Sequence, residues 1–200
     1  MNFLAHFYLS QNDENLIVGN FLGDMMRRSE WSKLPDPIKK GVLLHLEIDR
    51  FTDSHQIVKK VKHSFFHEQR HFSGVVTDII FDYFLASNWH KYSNKDLKSF
   101  SKETYMSLEK HLLLFNKKGT MTFKYMKQHD WLSSYATKNG ILKILEGMAN
   151  RSKHPSIMPD AIKIIDLRAN ELELLFFDFF DELYVNCQKF LIDHHLMEKN

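Results

Sequence analysis

The sequence predicts an all-α fold built as a single helical domain. Only 7 of its 200 residues are glycine and 4 are proline, so few positions favour a tight turn or interrupt a helix. The chain also carries 17 phenylalanines and 9 methionines, and such bulky side chains favour long helices packed face to face over short strands. A chain of this length can bury one sizeable core, and nothing in the sequence requires a second domain.

Composition and charge limit the classes of protein that the sequence can encode. A hydrophobic fraction of 44% is typical of a globular protein, and a net charge of +2 does not favour a general nucleic-acid binder. The start of the chain does not read as a signal peptide, and no stretch approaches the roughly 18 apolar residues of a membrane span. Cys187 has no partner for an intramolecular disulfide, so we expect a buried thiol in a cytoplasmic protein that binds neither nucleic acid nor membrane.

Capping and breaking residues divide the first half of the chain into helices. Asp13 is a favoured N-cap residue, and Pro37 can occupy the first position of a helix. Arg27 and Arg28 suit the negative end of a helix dipole, so the helix that follows Asp13 is expected to end there. After a short apolar segment at residues 1–9, the predicted helices cover residues 14–28, 38–53, 56–71 and 74–89.

The second half is also predicted to be helical, with plainer patterns. Asp96 or Asn94 can cap a helix that runs through Leu114, and Gly119 predicts a loop over residues 117–120. Leucines and phenylalanines recur at helical spacing after Pro159, and they are expected to lie in the core. The remaining predictions are helices at residues 121–129, 131–147 and 159–189, a polar turn around 151–155 and a frayed tail from 194.

The segment Leu43–Ser54 contains the first candidate for a functional site. His45, Asp49 and Asp53 recur every four residues, and each step rotates only about 40° around a helix axis. The three side chains therefore share one face of a mostly apolar helix. An imidazole and two carboxylates in such surroundings need a positive partner, either a divalent cation or a Lys or Arg from elsewhere. An exposed polar face is the alternative, and this stretch alone slightly favours it.

A second pair of acids changes that balance. Asp78 and Asp82 are also four residues apart, and they lie in a segment rich in Val, Ile and Phe. A buried ionised carboxylate needs a partner or a metal. Two acid-bearing helices, together with Asp24 and two histidines, therefore favour a metal site. The candidate ligands are His6, Asp24, His45, Asp49, Asp53, Asp78 and Asp82.

Missing motifs narrow the chemistry further. The sequence has no glycine-rich phosphate loop and no G-x-S-x-G nucleophile motif, and one cysteine cannot form a paired-cysteine zinc site. Hard carboxylates with one or two imidazoles suit Mn²⁺ or Mg²⁺, with Fe²⁺ as a further candidate. Such a site polarises a phosphoryl oxygen and lowers the pKa of a bound water, which phosphoester hydrolysis requires.

Six segments along the chain together resemble the acyl carrier protein phosphodiesterase family, in order and in spacing. They are MNFLAH at residues 1–6, GNFLGD at 19–24, the H-x-x-x-D-x-x-x-D run at 45–53, the D-x-x-x-D-x-x-L pattern at 78–85 followed by Trp89, WL at 131–132 and GMANR at 147–151. The resemblance implies a single metal-dependent phosphodiesterase domain over residues 1–200. It also implies an all-helical fold similar to the HD-domain metal-dependent phosphohydrolases, with Mn²⁺ as the usual metal.

The resemblance also implies a reaction and roles for residues. The reaction is hydrolysis of the phosphodiester between 4′-phosphopantetheine and a serine of holo-acyl carrier protein, which gives the apo protein and free 4′-phosphopantetheine. The residues implied as metal ligands or water activators are Asp24, His45, Asp49 and Asp82. Those implied as further ligands or orienting partners are His6, Asp53 and Asp78. We expect catalysis to involve Asp24, His45 and Asp49, with one of the two acids as general base.

Basic residues near the proposed ligands are expected to contact the carrier protein, which is acidic. Leu46 and Glu47 stand where basic residues are expected in the family, so other positions must supply that charge. The candidates for partner binding are Arg27, Arg28, Lys39, Lys40 and Arg50.

Two other functions are open at the level of sequence. One is an HD-like phosphohydrolase that acts on a nucleotide or another small phosphoester. The other is a non-catalytic helical protein that binds an acidic partner through its basic surface, with the acids serving a structural purpose. Bound metal and turnover of holo-acyl carrier protein distinguish these alternatives from the leading hypothesis.

Overall fold

The computed structural model describes residues 1–151 and 157–194, and it confirms the predicted all-α class. No strand occurs in these ranges, and short 3₁₀ helices connect several of the α-helices. The α-helices are α1 (Phe3–Leu9), α2 (Glu14–Met25), α3 (Asp36–Ser54), α4 (Gln56–Gln69), α5 (Ser73–Ser87), α6 (Leu97–Lys110), α7 (Lys117–Gln128), α8 (Trp131–Ser134), α9 (Lys138–Arg151) and α10 (Ala161–Asp193).

Side-chain caps start helices where the sequence predicts them. Asp13 accepts a hydrogen bond from the Leu16 N–H at 2.9 Å, and Asp96 accepts one from the Ser99 N–H at 2.9 Å. Pro37 lies in the first turn of α3, as expected. These starts depend on chemistry within one turn of the chain, and for that reason the sequence alone predicts them.

Other predicted boundaries are wrong. Helix α2 ends at Met25 rather than near Arg28, and a 3₁₀ helix follows it. The loop predicted at residues 117–120 is the first turn of α7, because the Asn116 Oδ1 accepts a hydrogen bond from the Gly119 N–H at 2.8 Å. A side-chain cap of this kind outweighs the low helix propensity of one glycine. The segment predicted as one helix at residues 131–147 is divided between α8 and α9, and α9 continues to Arg151.

Helix α10 packs along α3, α4 and α5 and closes one side of the core. Its side chains Phe176, Phe179 and Phe180 are fully buried, and Phe81 of α5 packs against the first two of them. The predicted core position is therefore confirmed for these three rings, whereas Leu174 of the same predicted stripe is 65% exposed. The helix changes direction at Arg168, whose φ of −129° and ψ of 17° are not helical.

Helices α2 and α3 approach each other closely, and two glycines permit it. A Cβ on Gly19 would lie 2.0 Å from the Ile38 carbonyl oxygen and 2.7 Å from the Cα of Gly41. No side chain fits between the two backbones at this crossing. The contact therefore brings the functional side chains of α2 and α3 close together.

Some predictions concern residues that the structure does not describe. Residues 152–155 of the predicted polar turn lie outside the described residues. The predicted tail lies outside them from residue 195. Among the described helices, none combines the length and apolar character needed to cross a membrane. Cys187 on α10 is a buried free thiol, as predicted.

Candidate active site

A cavity of about 280 Å³ is lined by side chains from the N-terminal part of the fold. Helices α1, α2, α3 and α5 each contribute polar groups to its wall. It brings together five of the seven predicted ligands, while Asp53 and Asp82 lie elsewhere. The polar residues that line it are Asn2, His6, Asn20, Asp24, His45, Asp49 and Asp78.

His6, His45 and Asp49 form a tight group in this cavity. The His6 Nε2 lies 3.3 Å from Asp49 Oδ1, and the His45 Nε2 lies 3.1 Å from Asp49 Oδ2. The centres of the two imidazole rings are 4.7 Å apart. Ligand atoms of the three residues all lie within 4.8 Å of one another, so the group could hold a metal ion.

The chemistry of this group fits a divalent cation. Burial lowers the pKa of His6, although contact with Asp49 opposes the effect, and the ring therefore favours its neutral form. Burial also opposes ionisation of Asp49, but its contacts with His45 and His6 outweigh burial and hold the Asp49 pKa well below its usual range. Imidazole nitrogens that converge on an ionised carboxylate are suitable ligands for a metal ion.

Two residues of α2 that the sequence prediction missed hold the histidines in place. The Oδ1 of the buried Asn20 lies 2.7 Å from the Nδ1 of His6 and 3.2 Å from the Nδ1 of His45. Gly23 leaves room for the His45 ring, because a Cβ at Gly23 would lie 2.7 Å from two of its ring atoms. The sequence signal that could have identified Asn20 is its position as a polar residue inside the apolar run LIVGNFLG.

The carboxylate of Asp82 anchors the helix that carries His6. Its Oδ1 accepts a hydrogen bond from the Asn2 N–H at 3.1 Å, and its Oδ2 accepts from the N–H groups of Leu4 at 2.8 Å and Ala5 at 3.4 Å. These N–H groups lie at the start of α1, where a negative charge also meets the positive end of the helix dipole. Both oxygens of Asp82 accept hydrogen bonds from these N–H groups, and the residue does not line the cavity. The structure therefore places Asp82 outside the ligand site that the sequence predicts.

Asp24, Asp78 and Asp53 occupy three different settings. Asp24 is exposed near the end of α2 and lines the cavity. Asp78 also lines the cavity, and its Oδ1 accepts a hydrogen bond from the Met1 α-amino group at 2.9 Å. Asp53 is exposed one turn beyond Asp49 and outside the cavity, because each four-residue step along α3 adds about 40° of rotation.

Two of the predicted partner-binding residues are neutralised within the chain. Arg50 makes a two-contact ion pair with Glu47, with its Nε 2.8 Å from one carboxylate oxygen and a terminal nitrogen 2.6 Å from the other. The Lys39 Nζ lies 2.9 Å from Asp36 Oδ1. Arg50 therefore does not supply free positive charge in place of the basic residues expected next to Glu47.

The remaining predicted basic residues are exposed. Arg27, Arg28 and Lys40 make no ion pair within residues 1–151 and 157–194. Arg27 and Arg28 follow the cavity-lining Asp24 by three and four residues. The Nζ of Lys118 lies close by and donates a hydrogen bond to the Asp24 carbonyl oxygen at 2.8 Å. Three basic residues therefore lie near Asp24, two of them in the chain and one in space.

The fold and the site together define an all-helical protein with a candidate His–His–Asp metal centre in a cavity. Curated relatives named acyl carrier protein phosphodiesterase are 28% identical in Photorhabdus laumondii and 29% identical in Yersinia pestis. These alignments cover 90% and 94% of this chain and 91% and 98% of the relatives. The family profile for acyl carrier protein phosphodiesterase matches residues 1–183, and the chain belongs to that family.

No solved structure matches the chain. The expected similarity to the HD-domain phosphohydrolases therefore stays a prediction. Family membership rests on the sequence match over nearly the whole chain, and the site geometry comes from this structure alone.

Proposed function

We propose that the protein hydrolyses the phosphodiester that joins 4′-phosphopantetheine to a serine of holo-acyl carrier protein, releasing the apo protein and 4′-phosphopantetheine. The observation that carries the proposal is the convergence of His6, His45 and Asp49 in a cavity of a chain from the acyl carrier protein phosphodiesterase family. The names of the relatives support this choice of substrate over a nucleotide. The reaction is assigned to one metal-dependent domain.

The charge of the cavity supports the need for a metal. Asp24 and Asp49 line it, while Asp78 is paired with the Met1 α-amino group. A phosphodiester carries its own negative charge, so a cation beside Asp24 and Asp49 would favour its binding. We assign Mn²⁺ to the group formed by His6, His45 and Asp49, with Mg²⁺ or Fe²⁺ as alternatives, since mixed imidazole and carboxylate ligands suit these ions. When bound, such a cation polarises a phosphoryl oxygen and makes a water molecule more acidic.

Asp24 is the general base in this proposal. Its carboxylate lines the cavity and makes no ion pair within the described residues, whereas both oxygens of Asp49 face the histidines. As the water oxygen bonds to phosphorus, Asp24 accepts a water proton. The bond between phosphorus and the serine oxygen breaks, and the proton passes to that oxygen to give the serine hydroxyl.

An apolar part of the cavity wall is suited to the prosthetic group. Phe3, Val75 and Met148 line the cavity beside the polar cluster, and Val75 is 38% exposed. A pantetheine chain is long and mostly apolar between its amides, so it can lie against these side chains while the phosphate reaches the histidines. The carrier protein itself remains outside the cavity.

Intact mass spectrometry of the carrier protein tests the proposal. Purified protein is incubated with holo-acyl carrier protein and Mn²⁺, with and without EDTA. The carrier is expected to lose the phosphopantetheine mass only when metal is available. A carrier that keeps its mass in the presence of folded, metal-loaded protein contradicts the proposal, and a nucleotide panel then tests the small-phosphoester alternative.

Variants locate the chemistry within the cavity. Asp24→Ala and His45→Ala are expected to lose turnover of the carrier protein while they stay folded by circular dichroism. Asp53→Ala is the matched control, because Asp53 lies on the same helix as His45 but outside the cavity. It is expected to keep wild-type turnover, and equal losses in all three variants would contradict the assignment.

A further inference from the structure

The buried amide of Asn20 contacts both histidines of the candidate site. Asn20 is only 1% exposed, and its Oδ1 lies 2.7 Å from His6 Nδ1 and 3.2 Å from His45 Nδ1. Its Nδ2 donates to the backbone carbonyl of His6 at 2.9 Å and to the Oγ of Ser10 at 3.1 Å. One side chain of α2 therefore contacts residues of α1 and α3 beneath the cavity.

These contacts leave one orientation for the amide group. The backbone carbonyl of His6 can only accept a hydrogen bond, so the NH₂ of Asn20 must face it and the amide oxygen must face the rings. An amide oxygen also only accepts, so the Nδ1 of each ring carries a proton. In a neutral imidazole the lone pair then lies on Nε2. The Nε2 atoms of His6 and His45 are the atoms that face Asp49.

We propose that Asn20 is a positioning residue that fixes the tautomer and the ring orientation of both His6 and His45, so that both Nε2 lone pairs face the space beside Asp49. The inference rests on the proposed function, since it assigns the ligand atoms of the proposed metal site. Metal-ligating histidines usually donate their other N–H to a fixed acceptor, and here one oxygen serves two rings. Loss of this acceptor therefore affects two ligands at once.

Mn²⁺ binding to the metal-free protein, measured by calorimetry, tests the inference without reference to turnover. Asn20→Leu has a similar volume and removes the acceptor, so it is expected to weaken Mn²⁺ binding by about 10- to 100-fold. Asn20→Asp keeps an oxygen facing the rings and is expected to bind Mn²⁺ more tightly than Asn20→Leu. Ser10→Ala is the matched control, because it removes one hydrogen bond of the same amide but leaves the contacts with His6 and His45. It is expected to keep the wild-type affinity.

Long-range ¹H–¹⁵N NMR spectra of the protein loaded with Mg²⁺, which is diamagnetic, report the tautomers directly. With a cation bound beside Asp49, His6 and His45 are expected to carry the proton on Nδ1 in the wild type and in Ser10→Ala. Asn20→Leu is expected to show a population with the proton on Nε2. Circular dichroism verifies folding. If Asn20→Leu does not fold, the inference is tested by the wild-type tautomers, with protons on Nδ1 supporting it and protons on Nε2 overturning it. The Mn²⁺ affinity of Asn20→Asp is then compared with that of the wild type.

The outcomes separate this inference from the proposed function. The inference is overturned if the wild-type rings carry the proton on Nε2, or if folded Asn20→Leu keeps wild-type Mn²⁺ affinity and tautomers. A wild type that binds Mn²⁺ without hydrolysing the carrier, and whose Mn²⁺ affinity and Nδ1 tautomers are lost in Asn20→Leu, contradicts the proposed function and supports the role of Asn20. Metal-dependent hydrolysis of the carrier, combined with no effect of Asn20→Leu on tautomers or affinity, supports the proposed function and contradicts the role of Asn20.

Discussion

The imidazole ring of His45 packs directly against the backbone of α2 at Gly23. A Cβ added to Gly23 would lie 2.7 Å from both the Cδ2 and the Cγ of this ring. Carbon atoms in optimal contact are about 3.5 to 4.0 Å apart, so no side chain fits at this position while the ring stays where it is. A candidate ligand on α3 is therefore held in position partly by the lack of a side chain on α2.

Gly23→Ala is expected to lower kcat/KM for holo-acyl carrier protein by about 100-fold, because a ligand displaced by about 1 Å can cost that much. The assay is the mass-spectrometric time course with Mn²⁺. Gly119→Ala is the control, since the Cβ there would make only ordinary contacts at 3.5 Å, and it is expected to keep wild-type activity. Full activity of Gly23→Ala would show that the ring position is not critical.

Gly19→Ala is expected to destabilise the whole fold rather than the site alone. The added Cβ would meet the Ile38 carbonyl oxygen at 2.0 Å, and backbone atoms cannot move aside as a side chain can. Overpacking of this kind costs about 1 to 3 kcal/mol, and we expect the upper part of that range in the free energy of unfolding. Urea denaturation measures it. Gly74→Ala is the matched control, because its Cβ meets only the flexible end of Lys62, and an equal loss there would contradict the argument.

The parts of the fold that the sequence predicts are those set by local chemistry. Asp13 and Asp96 cap helices through bonds within one turn, so their effect does not depend on the rest of the chain. At the start of α7, Gly119 alone predicts a loop, but the side-chain cap at Asn116 starts a helix there. Helix α10 was predicted as core from its aromatic residues, since burial of so many rings needs no knowledge of their partners.

In the candidate site, too, the features set by local spacing are predictable from the sequence, and those set by long-range packing are not. Four-residue spacing predicts that His45 and Asp49 share a face of α3. In the structure, the His45 Nε2 lies 3.1 Å from the Asp49 Oδ2. Whether Asp82 faces a cavity or backbone N–H groups depends on how α1 packs against α5, between residues 78 positions apart. The role of Asn20 depends on long-range packing in the same way, because its partners come from two other helices. Long-range packing of this kind leaves no periodic signal in the sequence.

The carboxyl of Asp82 gives the metal-free protein a pH-dependent stability. Burial raises the pKa of Asp82 to about 7, although the Met1 ammonium and the backbone N–H groups of Asn2 and Leu4 act in the opposite direction. The unfolded value is about 4. The folded chain thus binds the extra proton between these values, so this contribution to stability is complete below about pH 4 and is lost as pH rises through about 7.

Asp82→Asn removes this titration and provides the test. In EDTA, the free energy of unfolding of the wild type relative to Asp82→Asn is expected to fall between pH 5 and 7, by at most about 1.4 kcal/mol per pH unit. Urea denaturation at three pH values measures the difference, and the titrations of the histidines cancel because both proteins contain them. Parallel pH profiles for the two proteins would contradict a raised pKa at Asp82.

Arg27 and Arg28 are expected to attract the acidic carrier protein to the cavity. They are exposed, they make no ion pair within the described residues, and they follow the cavity-lining Asp24 closely in the chain. The double variant Arg27→Glu/Arg28→Glu is expected to raise KM by about tenfold or more at low salt, because steering charges increase encounter rates by at least that factor. The value of kcat should stay the same, since neither side chain lines the cavity.

The salt dependence separates docking from a general change in net charge. Lys98→Glu/Lys102→Glu on α6 alters the net charge of the protein equally, but neither lysine is close in the chain to a residue that lines the cavity. This control is expected to change KM much less, and the difference between the two double variants should shrink at high salt as the charges are screened. An equal rise in KM for both would mean that net charge governs the encounter. A fall in kcat with unchanged KM would place the arginines in the chemistry instead of in docking.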